Sequence, residues 1–362
     1  MKIKTISVNL LVALGSILFT IFLIEGGVRL LFGAQPAPGR FTADPQLGWI
    51  WTPNYDQIEA YKQGTTFRMQ VNSQGYRDDH DYAQPKPEGT IRIIALGDSI
   101  VASPGVELAK SFPQQLERLI QAEYSNQKIE VMNAGVDDYS TEQELIWLQE
   151  QGLDYEPDLL IVHVYLNDSR SFVRPSSTQA ALANFTVNHS AVYTFVRDVL
   201  FTRKAEETAS KEEFRFRFKP LLQDGDWRRD PEALTKLIQA ADQDWGLAWY
   251  DRELQHIENQ LLEMSQITVE NNIPMMLIVF PVNVQLYAET ETPLDLYGPQ
   301  YELSQFAAQA DLPLLDLRPL FASADLVEDE LFYDWVHLKP ASHQLVAQAI
   351  VEKMKQADLL PK

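Results

Sequence analysis

The chain has 362 residues, of which 45% are apolar, so it can bury a sizeable core and is not an intrinsically disordered protein. Its formal net charge of −21 argues against nucleic acid as a partner, because a phosphate backbone would be repelled. It contains no cysteine, which excludes disulfides, thiolate zinc sites and cysteine nucleophiles.

The N-terminus carries a long apolar run. Residues 6–24, ISVNLLVALGSILFTIFLI, are uncharged, and their 19 residues approach the roughly 20 that a helix needs to cross a bilayer. A cleaved signal peptide is the alternative, but its apolar region is usually only about 7 to 15 residues long. We therefore expect a transmembrane helix, an uncleaved signal anchor, within residues 1–34. Lys2 and Lys4 precede the run, which favours a cytoplasmic N-terminus and an extracytoplasmic remainder.

Residues 35–89 are expected to form a linker and an N-terminal extension that packs on the main domain. The linker GAQPAPGR contains two prolines and two glycines, which interrupt regular structure. After it, LGWIWTPN and TTFRMQVNSQGYRDD have the composition of short strands joined by turns.

From residue 90 to residue 362, short apolar runs alternate with helical patterns such as SFPQQLERLIQAEY and STEQELIWLQEQG. The runs lack polar alternation, as is typical of parallel strands covered on both faces. This order predicts a three-layer, doubly wound, flavodoxin-like α/β fold with a five-stranded parallel sheet, whose sites lie beyond the carboxyl ends of the strands. The predicted strands are residues 91–96, 129–133, 158–166, 274–280 and 312–317.

A long insertion, at about residues 170–270, interrupts the series. Its stretch KAEETASKEEFRFRFKP begins as a charged, solvated segment, and residues 215–219, RFRFK, have the alternation of a strand with one basic face. The stretch DQDWGLAWYDRELQHIENQLLEMSQI predicts an amphipathic helix on which Trp245 and Trp249 mark the apolar face.

Polar residues follow three of the predicted strands. Ser99 lies in GDS after the first, Gly135 in NAG after the second and Asn167 in ND after the third. Each motif alone is ordinary turn chemistry, but parallel strands bring their carboxyl ends to one edge. A serine nucleophile needs a base, and His337 is a candidate that Asp334 can orient. The backbone N–H groups of Ser99 and Gly135, with the side-chain amide of Asn167, would form an oxyanion hole.

At these positions the chain resembles the SGNH hydrolases, the superfamily of GDSL-type esterases and acyltransferases. ALGDSIVASPGV matches the nucleophile block, NAGV and VYLNDS match the oxyanion-hole blocks, and DWVH matches the block with aspartate and histidine. The resemblance covers residues 91–354 and departs from the pattern at Tyr165, where the third block usually has glycine. It implies a membrane-anchored bacterial esterase or O-acyltransferase without metal or organic cofactor. The implied substrate is an acyl group, typically acetyl, on an envelope or secreted carbohydrate.

Two alternatives to this function stay open from the sequence. The first is a lipid esterase, which a neighbouring bilayer would supply with substrate. The second is a catalytically idle, membrane-anchored binding or assembly module, although such a protein would be expected to lose one of Ser99, Asp334 and His337, and all three are present. His163 lies inside a predicted strand and is expected to be a packing residue.

Overall fold

The computed structural model describes residues 2–33, 36, 39–124, 126–168, 172, 174–196 and 215–359. By its internal contacts the chain divides into two compact units. One consists of Met1–Trp49 with Arg174–Lys211, and the other of Ile50–Val173 with Glu212–Lys362. The domain bounds at residues 34 and 89 that the sequence indicated stay a prediction.

The first unit contains the long apolar helix expected at the N-terminus. Helix α1 (Lys2–Phe32) includes a segment, Val12–Phe32, with a mean hydropathy of 1.8. By length and composition this helix suits either a membrane span or a signal sequence. The unit also contains strand β1 (Phe41–Asp44) and helix α5 (Ser177–His189), which are joined by hydrogen bonds between Asn184 and the backbone of Ala43.

Glu25 is an acidic residue within the apolar segment of α1, and several groups neutralise it. Its carboxylate accepts a hydrogen bond from the Arg29 guanidinium at 2.7 Å and from the backbone N–H groups of Ala191 at 2.6 Å and Val192 at 3.1 Å. These two amides open the helical segment 191–196. The first N–H groups of a helix have no partner within it and favour an anion, which explains how this carboxylate is accommodated.

The second unit begins with short strands, as predicted for this part of the sequence. Strands β3 and β4 form an antiparallel hairpin in which Asp56 pairs with Gln70 and Ala60 with Thr66. A short 3₁₀ turn, Lys62–Gly64, connects them. Strand β2 (Gly48–Trp51), whose last two residues belong to this unit, precedes the hairpin. The hairpin strands are β3 (Asp56–Ala60) and β4 (Thr66–Gln70).

The core of this unit is a five-stranded parallel sheet with the order β6-β5-β7-β8-β9. The predicted flavodoxin-like fold is therefore confirmed, and each predicted strand is present. All residues of β5, β7 and β8 are buried, which is why their sequences show no polar alternation. The strands are β5 (Thr90–Gly97), β6 (Lys128–Gly135), β7 (Leu159–Val164), β8 (Met275–Val279) and β9 (Leu314–Asp316).

Helices cover both faces of the sheet. The chain moves outward from β5 to β6 and then crosses back to β7, so right-handed connections place successive helices on opposite faces. Helix α3 packs against α13, whereas α4 packs against α8. The helices of this unit are α2 (Ser99–Ala102), α3 (Phe112–Glu123), α4 (Thr141–Glu150), α6 (Lys219–Asp224), α7 (Pro231–Ala240), α8 (Asp251–Glu270), α9 (Val284–Tyr287), α10 (Gly298–Gln309), α11 (Arg318–Ala322), α12 (Glu328–Leu331) and α13 (Pro340–Gln356).

Residues 215–219 do not form the strand that their alternation indicated. The chain turns directly into α6 here, because acidic side chains pair with both arginines and keep them out of a β-sheet. The guanidinium of Arg215 lies 2.7 Å from the carboxylate of Asp138, and that of Arg217 lies 2.5 Å from Asp242. The charged stretch 204–214 that precedes them lies outside the described residues.

The Trp-rich stretch forms two elements where the sequence predicted a single amphipathic helix. Trp245–Trp249 is a 3₁₀ helix, and the α-helix α8 begins only at Asp251. Gly246 explains this tight turn, since a Cβ there would lie 2.3 Å from the carbonyl oxygen of Ile238. The indole of Trp245 is nevertheless fully buried, as expected of a packing residue.

Candidate active site

Ser99 follows β5 at the carboxyl edge of the sheet, where it opens α2. The chain leaves the strand at Gly97, where a Cβ would lie 2.8 Å from the Cβ of His163, so a side chain would not fit. Asp98 caps α2 by accepting a hydrogen bond from the backbone N–H of Ile100 at 2.9 Å. Asp98 therefore braces the turn that presents the Ser99 hydroxyl.

Asp334 and His337 lie on a loop that is closed at its base. Phe332 and Leu338 form an antiparallel bridge, and the backbone N–H of Tyr333 donates to the carbonyl oxygen of His337 at 2.7 Å. Inside the loop, Asp334 Oδ1 accepts a hydrogen bond from the backbone N–H of His337 at 2.7 Å. The loop thus fixes the carboxylate and the imidazole relative to each other.

The His337 ring contacts both of its predicted partners. Its Nε2 lies 3.0 Å from Ser99 Oγ, and its Nδ1 lies 2.9 Å from Asp334 Oδ2. When Nδ1 carries the proton and donates it to the carboxylate, Nε2 is left as an acceptor for the serine hydroxyl. The structure therefore brings together the side chains that the sequence singled out as nucleophile, base and orienting group.

The electrostatic surroundings keep His337 uncharged. Burial lowers the pKa of its imidazole to about 3, the charge of Lys62 acts in the same direction, and nearby carboxylates, Asp98 among them, act against it. At neutral pH the ring is therefore in the form that accepts a proton. This is the protonation state that a general base requires.

Gly135 ends β6 beside α2 and pairs in register with Gly97. A Cβ at position 135 would lie 2.4 Å from the backbone nitrogen of Ala102, so only glycine lets the strand approach α2 this closely. The carbonyl oxygen of Gly135 accepts a hydrogen bond at 2.8 Å from the indole N–H of Trp51, whose ring is fully buried. Gly135 is thus in contact with the backbone of α2 on one side and with the indole of Trp51 on the other.

Asn167 follows β7, the neighbour of the strand that leads to Ser99, and is 9% exposed. Its turn is anchored on both flanks. Asp168 Oδ2 accepts a hydrogen bond from the backbone N–H of Tyr165 at 2.6 Å, and the Asp168 carbonyl oxygen accepts one from Thr141 at the start of α4. Tyr165, which replaces the glycine usual in this block, is completely buried. All three positions predicted for an oxyanion hole therefore lie at or just after the carboxyl ends of neighbouring strands, at one edge of the sheet.

Lys62 is a residue of this site that the sequence did not reveal. Its Nζ forms a short salt bridge with Asp334 Oδ2 and lies 3.2 Å from His337 Nδ1. Burial lowers the pKa of this ammonium group to about 8, and the like charge of Lys219 contributes in the same direction. The turn sequence YKQG carries no motif, and Lys62 lies 272 positions before Asp334, so no local pattern identifies it.

Arg77 also reaches the site from the segment before β5. Its guanidinium is fully buried and donates hydrogen bonds to the carbonyl oxygens of Ala102, Ser103 and Val106. These carbonyls belong to the end of α2 and the loop after it. Arg77 therefore fixes the segment that follows Ser99.

Other ionisable groups are buried close to Asp98. Burial lowers the pKa of His163 to about 3, so this histidine is neutral at pH 7, and its Nδ1 lies 3.6 Å from the Asp98 carboxylate. The ring also packs against Phe280, which agrees with the packing role expected for it. Burial raises the pKa of Glu144 well above its usual range, and the charge of Asp98 adds to this effect.

Among the described residues, one group has the spacing of a metal site. The ligand atoms of Asp78, Asp79 and His80 lie within 4.8 Å of one another. The Asp78 carboxylate already accepts hydrogen bonds from Tyr82 and Gln114, and Asp78 with Asp79 raises the pKa of His80 to about 9. The histidine is therefore protonated at neutral pH, and a metal ion would have to displace this proton in order to bind.

A cavity of about 280 Å³ lies beside the loop that carries Asp334. Its lining combines aromatic rings with side chains that form hydrogen bonds. Trp335 and Tyr333 are partly exposed rings of this lining. The hydrogen-bonding groups include Gln63, Gln223, Arg228, Asn283, Glu328 and Asp329.

The chain was compared with protein families, curated proteins and solved structures. The model of the GDSL-like lipase/acylhydrolase family matches residues 95–345. The comparison with curated proteins gave no match. Among solved structures, the acetylxylan esterase Axe2 from Geobacillus stearothermophilus is 14% identical, with 73% of this chain and 94% of that one covered and a TM-score of 0.44. A lipolytic protein of the G-D-S-L family from Desulfitobacterium hafniense DCB-2 is 13% identical, with 72% and 98% covered and a TM-score of 0.41.

Proposed function

Because the chain belongs to the GDSL-like lipase/acylhydrolase family, which is matched over residues 95–345, we propose that Ser99, His337 and Asp334 cleave or transfer ester-linked acyl groups. One observation carries this proposal. The distances of 3.0 Å from His337 Nε2 to Ser99 Oγ and 2.9 Å from Nδ1 to Asp334 Oδ2 are those of a serine nucleophile with its base and orienting carboxylate.

In the proposed mechanism, His337 Nε2 takes the hydroxyl proton while Ser99 Oγ attacks the ester carbonyl carbon. Asp334 accepts the Nδ1–H and stabilises the imidazolium that forms. The backbone N–H groups of Ser99 and Gly135 and the amide of Asn167 donate to the oxyanion of the tetrahedral intermediate. When this intermediate collapses, the acyl group stays on Ser99 and the alcohol leaves with the proton from His337.

The second half of the reaction releases the acyl group. His337 takes a proton from water, which attacks the acyl-enzyme and gives a free acid, or from a sugar hydroxyl, which gives a new ester. Collapse of the second tetrahedral intermediate returns the proton from His337 to Ser99. Hydrolysis and transfer thus share all residues and differ only in the acceptor.

The cavity beside Asp334 supports a carbohydrate ester, and within that class we propose an acetyl ester of an envelope or secreted glycan. Sugar rings have apolar C–H faces that pack on aromatic side chains and hydroxyl groups that bind amides and carboxylates. Trp335 and Tyr333 offer the rings, while Gln223, Asn283 and Glu328 offer the polar groups. A lipid chain would instead require a continuous apolar lining. The helix α1 favours a lipid ester as the second candidate, since it would bring the enzyme to a bilayer.

Replacing Trp335 by alanine should weaken the use of a glycan ester. An aromatic contact contributes about 0.5–1.5 kcal/mol, so kcat/KM for an acetylated xylo-oligosaccharide should fall about two- to tenfold, mainly through KM. The assay measures acetate release by the full chain in detergent. Tyr301→Ala is the matched control, because Tyr301 is 64% exposed and is not among the residues that line the cavity. Equal KM values for the two variants would contradict a glycan subsite there, and faster cleavage of long-chain esters would favour the lipid candidate.

We also propose that α1 anchors the enzyme with its N-terminus in the cytoplasm and the Ser99 site outside it. The absence of native cysteine allows a direct test. In Ser323→Cys, an exposed position, a membrane-impermeant maleimide should label the protein in sealed right-side-out vesicles. In Thr5→Cys, labelling should appear only after detergent is added. The reverse pattern would overturn the orientation, and a protein that washes off with carbonate would overturn the anchor.

A further inference from the structure

Lys62 enters the active site from outside the region that the family model matches. Its Nζ bridges Asp334 Oδ2 and His337 Nδ1, the two atoms whose mutual hydrogen bond orients the imidazole. The side chain is 38% exposed and that of Asp334 is 8% exposed, so this contact lies at the edge of the protein interior. A cation is thus placed on the side of the histidine that faces away from Ser99.

Lys62 and Asp334 make incompatible demands on His337 Nδ1. An ammonium group has only donors, so a hydrogen bond from Lys62 requires Nδ1 to be the acceptor and puts the ring proton on Nε2. A ring protonated at Nε2 cannot accept the Ser99 proton. The Asp334 carboxylate has only acceptors and selects the opposite tautomer, the one that the proposed reaction needs. The charged lysine therefore competes with the productive form of the base.

The charge of Lys62 acts in the same direction as its hydrogen bonding. The imidazolium that forms during the reaction would lie beside a second cation, and the ion pair reduces the negative charge of Asp334 that would stabilise it. We propose that Lys62 is a positioning residue which, while protonated, restrains His337 as a base, so that loss of the lysine proton raises activity. This inference rests on the proposed roles of Ser99, His337 and Asp334.

The surroundings of Lys62 place this switch near pH 8. Asp334 and His337 are its nearest titratable partners. Burial and the charge of Lys219 lower the pKa of Lys62, whereas the charges of Asp137 and Asp244 raise it. The resulting pKa is about 8. The rings of Tyr61 and Trp335 complete the environment, 5.4 Å and 5.2 Å from Nζ.

Activity is therefore expected to rise as the pH increases. Below pH 8 Lys62 is charged and restrains the base, whereas above pH 8 it is neutral and the restraint is lost. The pKa of His337 is about 3, so this ring stays unprotonated over the whole range and does not cause the change. Protonation of His337 would lower kcat/KM only at a much lower pH, near its pKa of about 3.

The test compares the pH profile of kcat/KM for an aryl acetate between the full-length wild type, Lys62→Met and Lys62→Arg in detergent. The wild type should rise through about pH 8. Lys62→Met should show no such rise and should exceed the wild type at pH 7 by about three- to tenfold. Lys62→Arg keeps the charge and should stay low without a rise. Lys236→Met is the matched control, because Lys236 is exposed on α7, and it should reproduce the wild-type profile.

Two further measurements keep the outcome unambiguous. The rate at which a fluorophosphonate labels the wild type should also rise near pH 8, and this needs no variant. A purely structural role for Lys62 would lower activity and thermal stability at all pH values without moving the profile, and that result would overturn the inference. So would a Lys62→Met profile that keeps the wild-type rise. Activity retained by Ser99→Ala would instead reject the proposed function itself.

Discussion

Alanine at position 99 is expected to abolish ester cleavage by the full-length protein. The substitution removes the Oγ atom that is proposed to form the acyl-enzyme bond and that lies 3.0 Å from His337 Nε2. It should leave the fold intact, because the serine side chain is small and lies at the start of α2. Loss of a serine nucleophile lowers kcat by at least about 10³-fold. Acid release from an aryl acetate and from an acetylated xylo-oligosaccharide should both be lost.

A labelling experiment complements this assay. A fluorophosphonate should add one adduct to the wild type, located by mass spectrometry at Ser99, and none to Ser99→Ala. Ser323→Ala serves as the control, because it removes an exposed hydroxyl far along the chain and should keep full activity and labelling. Undiminished activity of Ser99→Ala would show that another nucleophile acts. No adduct on folded wild-type protein would favour the catalytically idle binding module.

The second large effect is expected from Gly135→Ala. The added Cβ would lie 2.4 Å from the Ala102 nitrogen and 2.6 Å from Val101 Cβ, so α2 must move away from β6. Overpacking of this kind destabilises a protein by about 1–3 kcal/mol. Because Ser99 opens α2, its hydroxyl moves with the helix, and a displacement of about 1 Å can lower a rate about 10²-fold. We expect a lower midpoint of thermal unfolding together with a kcat that falls about 10²-fold.

Gly298→Ala is the matched control for this substitution. The nearest atom to a Cβ at position 298 is the Asp295 Cβ at 3.5 Å, an ordinary contact, and Gly298 lies in the first turn of α10. This variant should therefore keep its activity and its unfolding temperature. If Gly135→Ala also behaved like the wild type, the close approach of β6 to α2 would not be needed to position Ser99.

The sheet could be predicted from the sequence because its strands are buried on both faces. The apolar run predicted at residues 91–96 is strand Thr90–Gly97, and the run at 274–280 is strand Met275–Val279. The errors occurred where tertiary partners override a local pattern. In RFRFK, ion pairs from Asp138 and Asp242 hold the arginines in a turn, and no periodicity within the segment indicates such distant partners.

The grouping of the candidate residues could be predicted to the extent that they lie at sheet ends and on one loop. Ser99, Gly135 and Asn167 follow strands whose order fixes their common edge, and Asp334 is only three residues from His337. Lys62 could not be predicted in the same way, because its contact with Asp334 depends on where the turn of the β3–β4 hairpin packs in the tertiary structure. The residues around Lys62 have an ordinary turn composition, which does not indicate a lysine beside the histidine.

The fully buried guanidinium of Arg77 limits how far the chain can be shortened from its N-terminus. It holds the loop behind the nucleophile through three carbonyl oxygens, yet it lies upstream of every recognisable motif and of the family match. The segment that follows Ser99 is therefore not positioned by residues from β5 onward alone. A fragment starting at residue 90 would lack Arg77 and with it these three hydrogen bonds, so a well-positioned α2 requires the segment upstream of β5.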